Sequence, residues 1–169
     1  EATSNYDEEF YPSTVNRFSD MNIHEQISKV IEEVPDQLDA YPDDYIGIIC
    51  PRKAELDLIS SELLASHLGN QVHVQHGDYE AISTDRRIIV TTIHSAKGLE
   101  FRAVHLLSAD KVKKFKLQKK MSYTAVTRCK TSLSIYHNDS LPGYFENGLV
   151  ACEAPPKEPE LSDLFGGDA

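Results

Sequence analysis

The chain has 169 residues, 40% of them hydrophobic and 26% charged, which suits one domain of ordinary size with one core. Its three cysteines, Cys50, Cys129 and Cys152, are far apart and odd in number, which argues against a disulfide framework or a cysteine-built metal site and for a reducing, cytoplasmic setting. The acidic opening EATSNYDEEF is neither a secretory signal nor a presequence, and no apolar run reaches the roughly 18 residues of a membrane-spanning helix, so no membrane partner is expected.

Residues 1–13 carry no periodicity and are expected to be a disordered lead-in; the first residue is not Met, which fits a piece of a longer protein. TVNRF (14–18) reads as a short strand. In 22–34, Ile23, Ile27, Val30, Ile31 and Val34 recur at helical spacing, with Asp20 or Asn22 as candidate N-cap. PDQLDAYPDD (35–44) reads as a polar loop with two prolines. YIGIIC (45–50) has strand length and no polar face. Over 53–69, Leu56, Ile59, Leu63, Leu64 and Leu68 predict a helix stopped by Gly69. QVHVQHG (71–77) alternates like a strand, RIIVTT (87–92) reads as a buried strand and AVHLLSA (103–109) as another. A helix over 116–129 and a strand over 132–137 complete the order. Residues 139–169 are rich in Pro, Gly and acids and read as an acidic tail. Strands alternating with helices predict an α/β fold, a mostly parallel sheet with helices on both faces.

The net charge of −10 hides a strong asymmetry. Residues 1–44 hold twelve acids and two bases, residues 153–169 five acids and one base, but residues 86–130 hold twelve bases and two acids. A basic centre between acidic ends can bind phosphate despite the overall sign. KVKKFKLQKK (111–120) concentrates six lysines there. It is either a solvated basic surface or a surface that tracks a nucleic-acid backbone through Lys113, Lys114 and Lys116.

The stretch IHSAKGLEF (93–101) comes directly after the β-branched strand ending at Thr92. Ligands of parallel sheets collect at the carboxyl ends of strands, and the stretch is expected to lie at such an end. Gly98 permits close approach of the backbone to a ligand, Lys97 offers a point charge suited to phosphate, and Thr91, Thr92 and Ser95 offer hydroxyls. Glu100 can accept from a ribose hydroxyl or orient a cation. An ordinary loop with solvated charges would look the same. MSYTAVTRCKTSLSIYH (121–137) places Arg128 and Lys130 where a predicted helix runs into a strand. Arg128 is either a cation at a helix C-terminus or a guanidinium that reaches a phosphoryl group held by another domain.

The segments VTTIHSAKGLEFRAVHLL and MSYTAVTRCKTSLSIYH, about 25 residues apart, resemble motifs V and VI of the C-terminal motor domain of UvrD/Rep-type superfamily 1 helicases. The resemblance covers about residues 14–138 and implies a RecA-like second motor domain there. It implies that Arg128 contacts the γ-phosphate of ATP, that Glu100 lies near the ribose, and that Gly98 allows this approach. Thr92, His94 and Lys97 fall where the family contacts single-stranded DNA or links it to the nucleotide. Tyr123 and Thr127 match motif VI positions of a supporting kind.

The departures are equally specific. No G-x-x-x-x-G-K-[ST] occurs and no acidic Walker B pair comes after a strand. The expected metal site in this chain is therefore none, and Mg²⁺ is expected on an N-terminal P-loop motor domain that completes the ATP site. Asp57 stands where a second arginine would align, which leaves Arg52 as the one nearby candidate for the ATP side. The helical insertion of large family members is missing between 77 and 87, as in short UvrD-like domains. The resemblance implies an ATP-dependent DNA helicase, with DNA repair among its roles. Alternatives are a UvrD-like ATPase that remodels a protein complex such as RNA polymerase, or acts with a repair or replication factor, and a non-catalytic binding module.

Overall fold

A computed structural model describes residues 14–76, 85–96, 99–111, 129–141 and 143. Six strands form one sheet: β1 (Thr14–Phe18), β2 (Ile46–Cys50), β3 (Val72–Gln75), β4 (Ile88–Thr92), β5 (Phe101–Leu106) and β6 (Cys129–Tyr136). Their order is β1-β6-β5-β2-β4-β3 and every neighbouring pair is parallel. Two helices, α1 (Ile23–Ala40) and α2 (Lys53–Ala65), join β1 to β2 and β2 to β3. The expectation of a mostly parallel sheet is met by one parallel throughout. The predicted helix over 116–129 lies outside the described residues except for Cys129, which opens β6.

Both faces of the sheet are apolar, which is why its strands read as continuous hydrophobic runs. Ile46, Ile48 and Cys50 of β2, with Ile88 and Val90 of β4, join the core that holds Ile27, Val30 and Val34 of α1 and Leu56, Ile59 and Leu63 of α2. The alternate residues Ile49, Ile89, Val104, Leu106, Leu133 and Ile135 build a second core with Ile93, Ala96 and Ala109. Leu141 packs on that second core, so the packed chain runs past 138. Gly47 exists for this core: a Cβ there would stand 2.8 Å from the ring of Phe101, which is 1% exposed.

Asn22, not Asp20, caps α1. Its side-chain oxygen accepts from the Glu25 N–H at 3.0 Å, and the Glu25 carboxylate accepts from the Asn22 N–H, a reciprocal capping box. The helix then continues through Pro35 to Ala40, where the sequence predicted a loop over 35–44. Pro35 removes one helical N–H. Against that loss, Val34 is fully buried and Leu38 and Tyr41 pack on the core, so the apolar face runs on past the proline. Arg87 closes the helix end: its Nη2 donates to the carbonyls of Leu38 and Tyr41, each at 2.7 Å. The second helix ends at Ala65, four residues before the predicted stop. Ser66 Oγ donates to the Leu63 carbonyl at 2.6 Å and accepts from the Leu68 N–H at 3.2 Å, which turns the chain. At Gly69 a Cβ would strike the Leu64 carbonyl oxygen, so glycine serves close approach there rather than the helix stop itself.

A histidine is buried beside the first core. His105 of β5 is fully buried, with Nε2 2.6 Å from Gln37 Oε1 of α1 and Nδ1 2.8 Å from the Tyr136 hydroxyl of β6. With Gln37 accepting from Nε2–H, Nδ1 accepts from the tyrosine, so one neutral tautomer satisfies both bonds. Burial lowers the His105 pKa to about 4. Burial also raises the phenol pKa of Tyr136, and the Glu33 carboxylate adds to the effect.

This packing has two measurable consequences. Gly47→Ala should destabilise the domain by about 1–3 kcal/mol through overpacking against Phe101, read as a lower urea midpoint at unchanged m-value, and Phe101→Leu should recover part of the loss. For His105 the folded pKa of about 4 lies below the ordinary 6.5, so the unfolded chain binds the extra proton. Its contribution is complete above pH 6.5 and disappears as pH falls toward 4, a loss on the order of 3 kcal/mol. Unfolding free energies across that window should fall steeply in the wild type and less steeply in His105→Asn; equal slopes would assign the titration to other groups.

Candidate functional site: two opposite edges of one parallel sheet

Because all six strands run the same way, residues placed after strands gather at one edge of the sheet and residues that precede strands at the other. The chain leaves β2 toward α2 on the first core, whereas the segments after β4 and β5 place Ile93, Ala96 and Ala109 in the second core. The carboxyl end of β2 is thus flanked by strands that leave to the opposite face, the kind of crevice that binds ligands in open parallel sheets.

At this carboxyl edge β4 ends in a single turn. The Thr92 carbonyl accepts from the Ala96 N–H at 3.0 Å, and the Thr92 hydroxyl accepts from the Ser95 N–H at 3.2 Å. The Ile93 N–H donates to the Cys50 carbonyl at 2.9 Å, which ties the turn to the end of β2. Ile93, Ser95 and Ala96 are buried, whereas His94 is exposed. Thr92 therefore shapes the turn that presents His94 outward. Beside it, Arg52 is the N-cap residue of α2 and its side chain is 49% exposed. Its Nε donates to Glu55 Oε1 at 2.8 Å and to Oε2 at 3.1 Å, and its Nη2 also binds Oε1. The bond to Glu55 raises the Arg52 pKa further, with smaller help from Asp110. Cys50 lies beneath, its thiol pKa raised to about 12 by burial and next by Glu55.

Asp110, after β5, completes this edge. Its side chain is 2% exposed, and its two oxygens accept from the backbone N–H groups of Asn138 at 3.4 Å and Asp139 at 3.3 Å. Lys111, which opens the basic stretch 111–120, lies 3.8 Å from Asp110 and 3.7 Å from Asp139.

The amino edge holds a different set. Glu100 directly precedes β5 and is exposed. In the register Ala103 lies level with Ile46 and Leu106 with Ile49, so Glu100, just ahead of β5, and Thr92, at the end of β4, lie toward opposite ends of the sheet. The stretch 93–101 was expected at a carboxyl end. It starts there and finishes at the amino edge, because the parallel order obliges the chain to return before β5 can begin. Arg52 stands with Thr92 and His94, not with Glu100. Phe101 pairs with Cys129, so Glu100 immediately precedes the first paired residue of β5, and Arg128 immediately precedes its partner in the sequence.

Lys97, Gly98, Lys113, Lys114, Lys116 and Arg128 lie outside the described residues, as do Tyr123 and Thr127. Several other bases of 86–130 serve the fold. Arg86 donates to the Val72 carbonyl at 2.7 Å, Arg87 closes α1, Arg102 pairs with Asp44 at 3.0 Å, and Lys111 pairs with Asp110 and Asp139. The sequence did not single out Asp110 or Glu55, since a lone acid after a strand or in a first helical turn carries no spacing signal. Asp44 and Arg102 are 58 positions apart and meet only through strand pairing.

Residues 87–136 match the family model of the UvrD-like helicase C-terminal domain. No curated protein matches the chain significantly. Among solved structures, the fold is similar to the C-terminal domain of a possible DNA helicase from Lactobacillus plantarum WCFS1, at 22% identity and a TM-score of 0.63, with 85% of this chain and 87% of that chain covered. It is also similar to the Sulfolobus solfataricus SWI2/SNF2 ATPase core in complex with double-stranded DNA, at 17% identity and a TM-score of 0.55, over 80% of this chain and 30% of that one. The C-terminal domain of the DEAD-box protein Dbp5 matches at 12% identity and a TM-score of 0.52, over 95% and 88%. Residues 87–136, the stretch that matches the UvrD-like helicase C-terminal domain, lie within a six-stranded parallel sheet of RecA-like fold.

Proposed function

We propose that this domain is the second motor half of an ATP-dependent UvrD-like DNA helicase or translocase, with the nucleotide on its amino edge and single-stranded DNA on its carboxyl edge. The observation that carries this reading is the pairing of Phe101 with Cys129, which brings the residues next after Glu100 and Arg128 together at one edge while Thr92 and His94 stand at the other. Glu100 accepts from a ribose hydroxyl, and Arg128 stabilises charge on the γ-phosphate as the cleft to a P-loop domain closes. Gly98 gives the backbone room beside the nucleotide. That partner domain supplies the phosphate cradle and the Mg²⁺ ligands, since this sequence has no P-loop.

On the carboxyl edge, His94 meets the strand from the turn that Thr92 holds, and Lys97, three residues on in the sequence, adds a charge for its phosphates. Arg52 fits this edge better than the ATP side. Its guanidinium, engaged by Glu55, offers phosphate a charge already oriented. Lys113, Lys114 and Lys116 come just after Lys111 in the sequence and supply backbone-neutralising charge without reading bases. Opening and closing of the cleft then moves one edge relative to the other motor half and advances the strand.

Three measurements test this. The isolated chain should release no phosphate from ATP, with or without single-stranded DNA; turnover that Arg128→Ala abolishes would show a complete site here. In a protein that joins this domain to its P-loop domain, Arg128→Ala should reduce kcat by about 10³–10⁵ with little change in ATP affinity, and Arg128→Lys should not restore it. Fluorescence anisotropy with single-stranded DNA across a salt series should give a slope that flattens by roughly 0.7 for each phosphate no longer neutralised. Changing Lys113, Lys114 and Lys116 together to Gln should flatten it more than changing Lys29 and Lys53; equal slopes would make the cluster a solvated surface.

A further inference from the structure

Arg52 follows the end of β2, and β2 lies between β4 and β5 in the sheet, so Arg52 stands between the strand exits that carry His94 and Lys111. Glu55 lies three residues on, in the first turn of α2. One fork of the guanidinium is taken by this acid: Nε donates to Oε1 at 2.8 Å and to Oε2 at 3.1 Å, and Nη2 donates to Oε1. Among the described residues nothing bonds Nη1, and the side chain is 49% exposed, so the second fork, Nη1 with the other N–H of Nη2, is open. The Glu55 side chain is only 10% exposed and has no other partner among the described residues. The pair is lopsided, with its acid enclosed and its cation open.

We propose that Glu55 is a positioning residue for Arg52, holding the guanidinium so that its second fork meets a backbone phosphate of a single strand; an acid thereby strengthens an edge that binds a polyanion. This rests on the reading of the carboxyl edge as the path of the strand, and deepens it. An enclosed carboxylate requires a cation, which keeps Arg52 in one place. A long side chain already held loses little freedom when it binds, whereas a free one must be ordered at that moment. The phosphate meets Nη1 and Nη2 at hydrogen-bond range, while the carboxylate stays on the other fork, so the nearest attraction outweighs the more distant repulsion.

The test measures binding of the 169-residue chain to an oligo-dT strand and to an abasic strand of equal length. Fluorescence anisotropy across a salt series gives affinity and slope, and thermal unfolding reports the fold. Arg52→Ala should weaken binding to both strands by roughly tenfold and flatten the slope by about 0.7, one phosphate. Arg52→Lys keeps a charge beside Glu55 but has no fork, and should lose nearly as much at an unchanged unfolding midpoint. Glu55→Gln should weaken binding several-fold although it removes a negative charge. Asp57→Asn removes an exposed charge from the same helix and should leave binding equal or tighter. In the Arg52→Ala background the sign should reverse: Glu55→Gln then tightens binding, because only its repulsion is left to remove.

If Arg52→Ala and His94→Ala both leave affinity and slope unchanged, the strand does not follow this edge and the underlying reading fails. If only His94→Ala weakens binding, the strand bypasses Arg52 and the proposal falls alone. It also falls alone if Arg52→Ala weakens binding while Glu55→Gln leaves it equal or tighter, as Asp57→Asn does. A Glu55→Gln loss that persists without Arg52, or that tracks the unfolding midpoint, would overturn it. So would an Arg52→Ala loss seen with oligo-dT and absent with the abasic strand, which would make Arg52 a base contact.

Discussion

Hydrogen bonding of β2 to β4 on one side and β5 on the other, all three strands running in one direction, sets the limits on the rest of the molecule. A strand with parallel neighbours on both sides and a core on each face has no lateral exit for polar groups. Chemistry is left to the two edges. The carboxyl edge collects residues placed after strands, namely the Thr92 turn, Arg52 and Asp110. The amino edge collects residues placed before or at the start of them, namely Glu100, Asp44 and Arg102. One rigid parallel sheet thereby carries two separated polar surfaces.

Much of the fold was legible because burial on both faces leaves a plain trace. IGIIC and IIVTT are runs that only a two-sided core explains, and α1 and α2 show apolar residues at helical spacing. The misreadings share a cause. Pro35 and the acids around it looked like a loop because local propensity outweighed Val34 and Leu38 in a reading of neighbours alone. The helix is kept going there by packing on the core and by a guanidinium from the start of β4, nearly fifty residues on. Gly69 looked like the terminator of α2, but Ser66 ends it through two bonds of its own hydroxyl.

The placement of the candidate residues on the sheet was not legible in the sequence. Glu100, Thr92 and His94 were singled out by residue type and by motif, and nothing in a linear string reveals that eight residues carry the chain from one edge of the sheet to the other. The basic centre shows the reverse error. Arg86 and Arg87 add to the charge of 86–130, yet both point at backbone carbonyls and hold elements together. Arginine suits this work because a planar fork can satisfy several oxygens at once. A sum of charges cannot separate such residues from those that meet a ligand.

Asp110 has a bearing on where this domain can be cut. Its carboxylate is enclosed and takes its two backbone donors from Asn138 and Asp139, which lie beyond the last strand, while Leu141 covers part of the second core. A fragment ending with β6 at Tyr136 would keep every strand and still be defective. It would leave a sealed anion deprived of its amide donors and a hole over the layer of Leu133 and Ile135. The smallest piece that folds soundly therefore runs to at least residue 141, and the chain beyond the sheet is a structural closure as much as a tail.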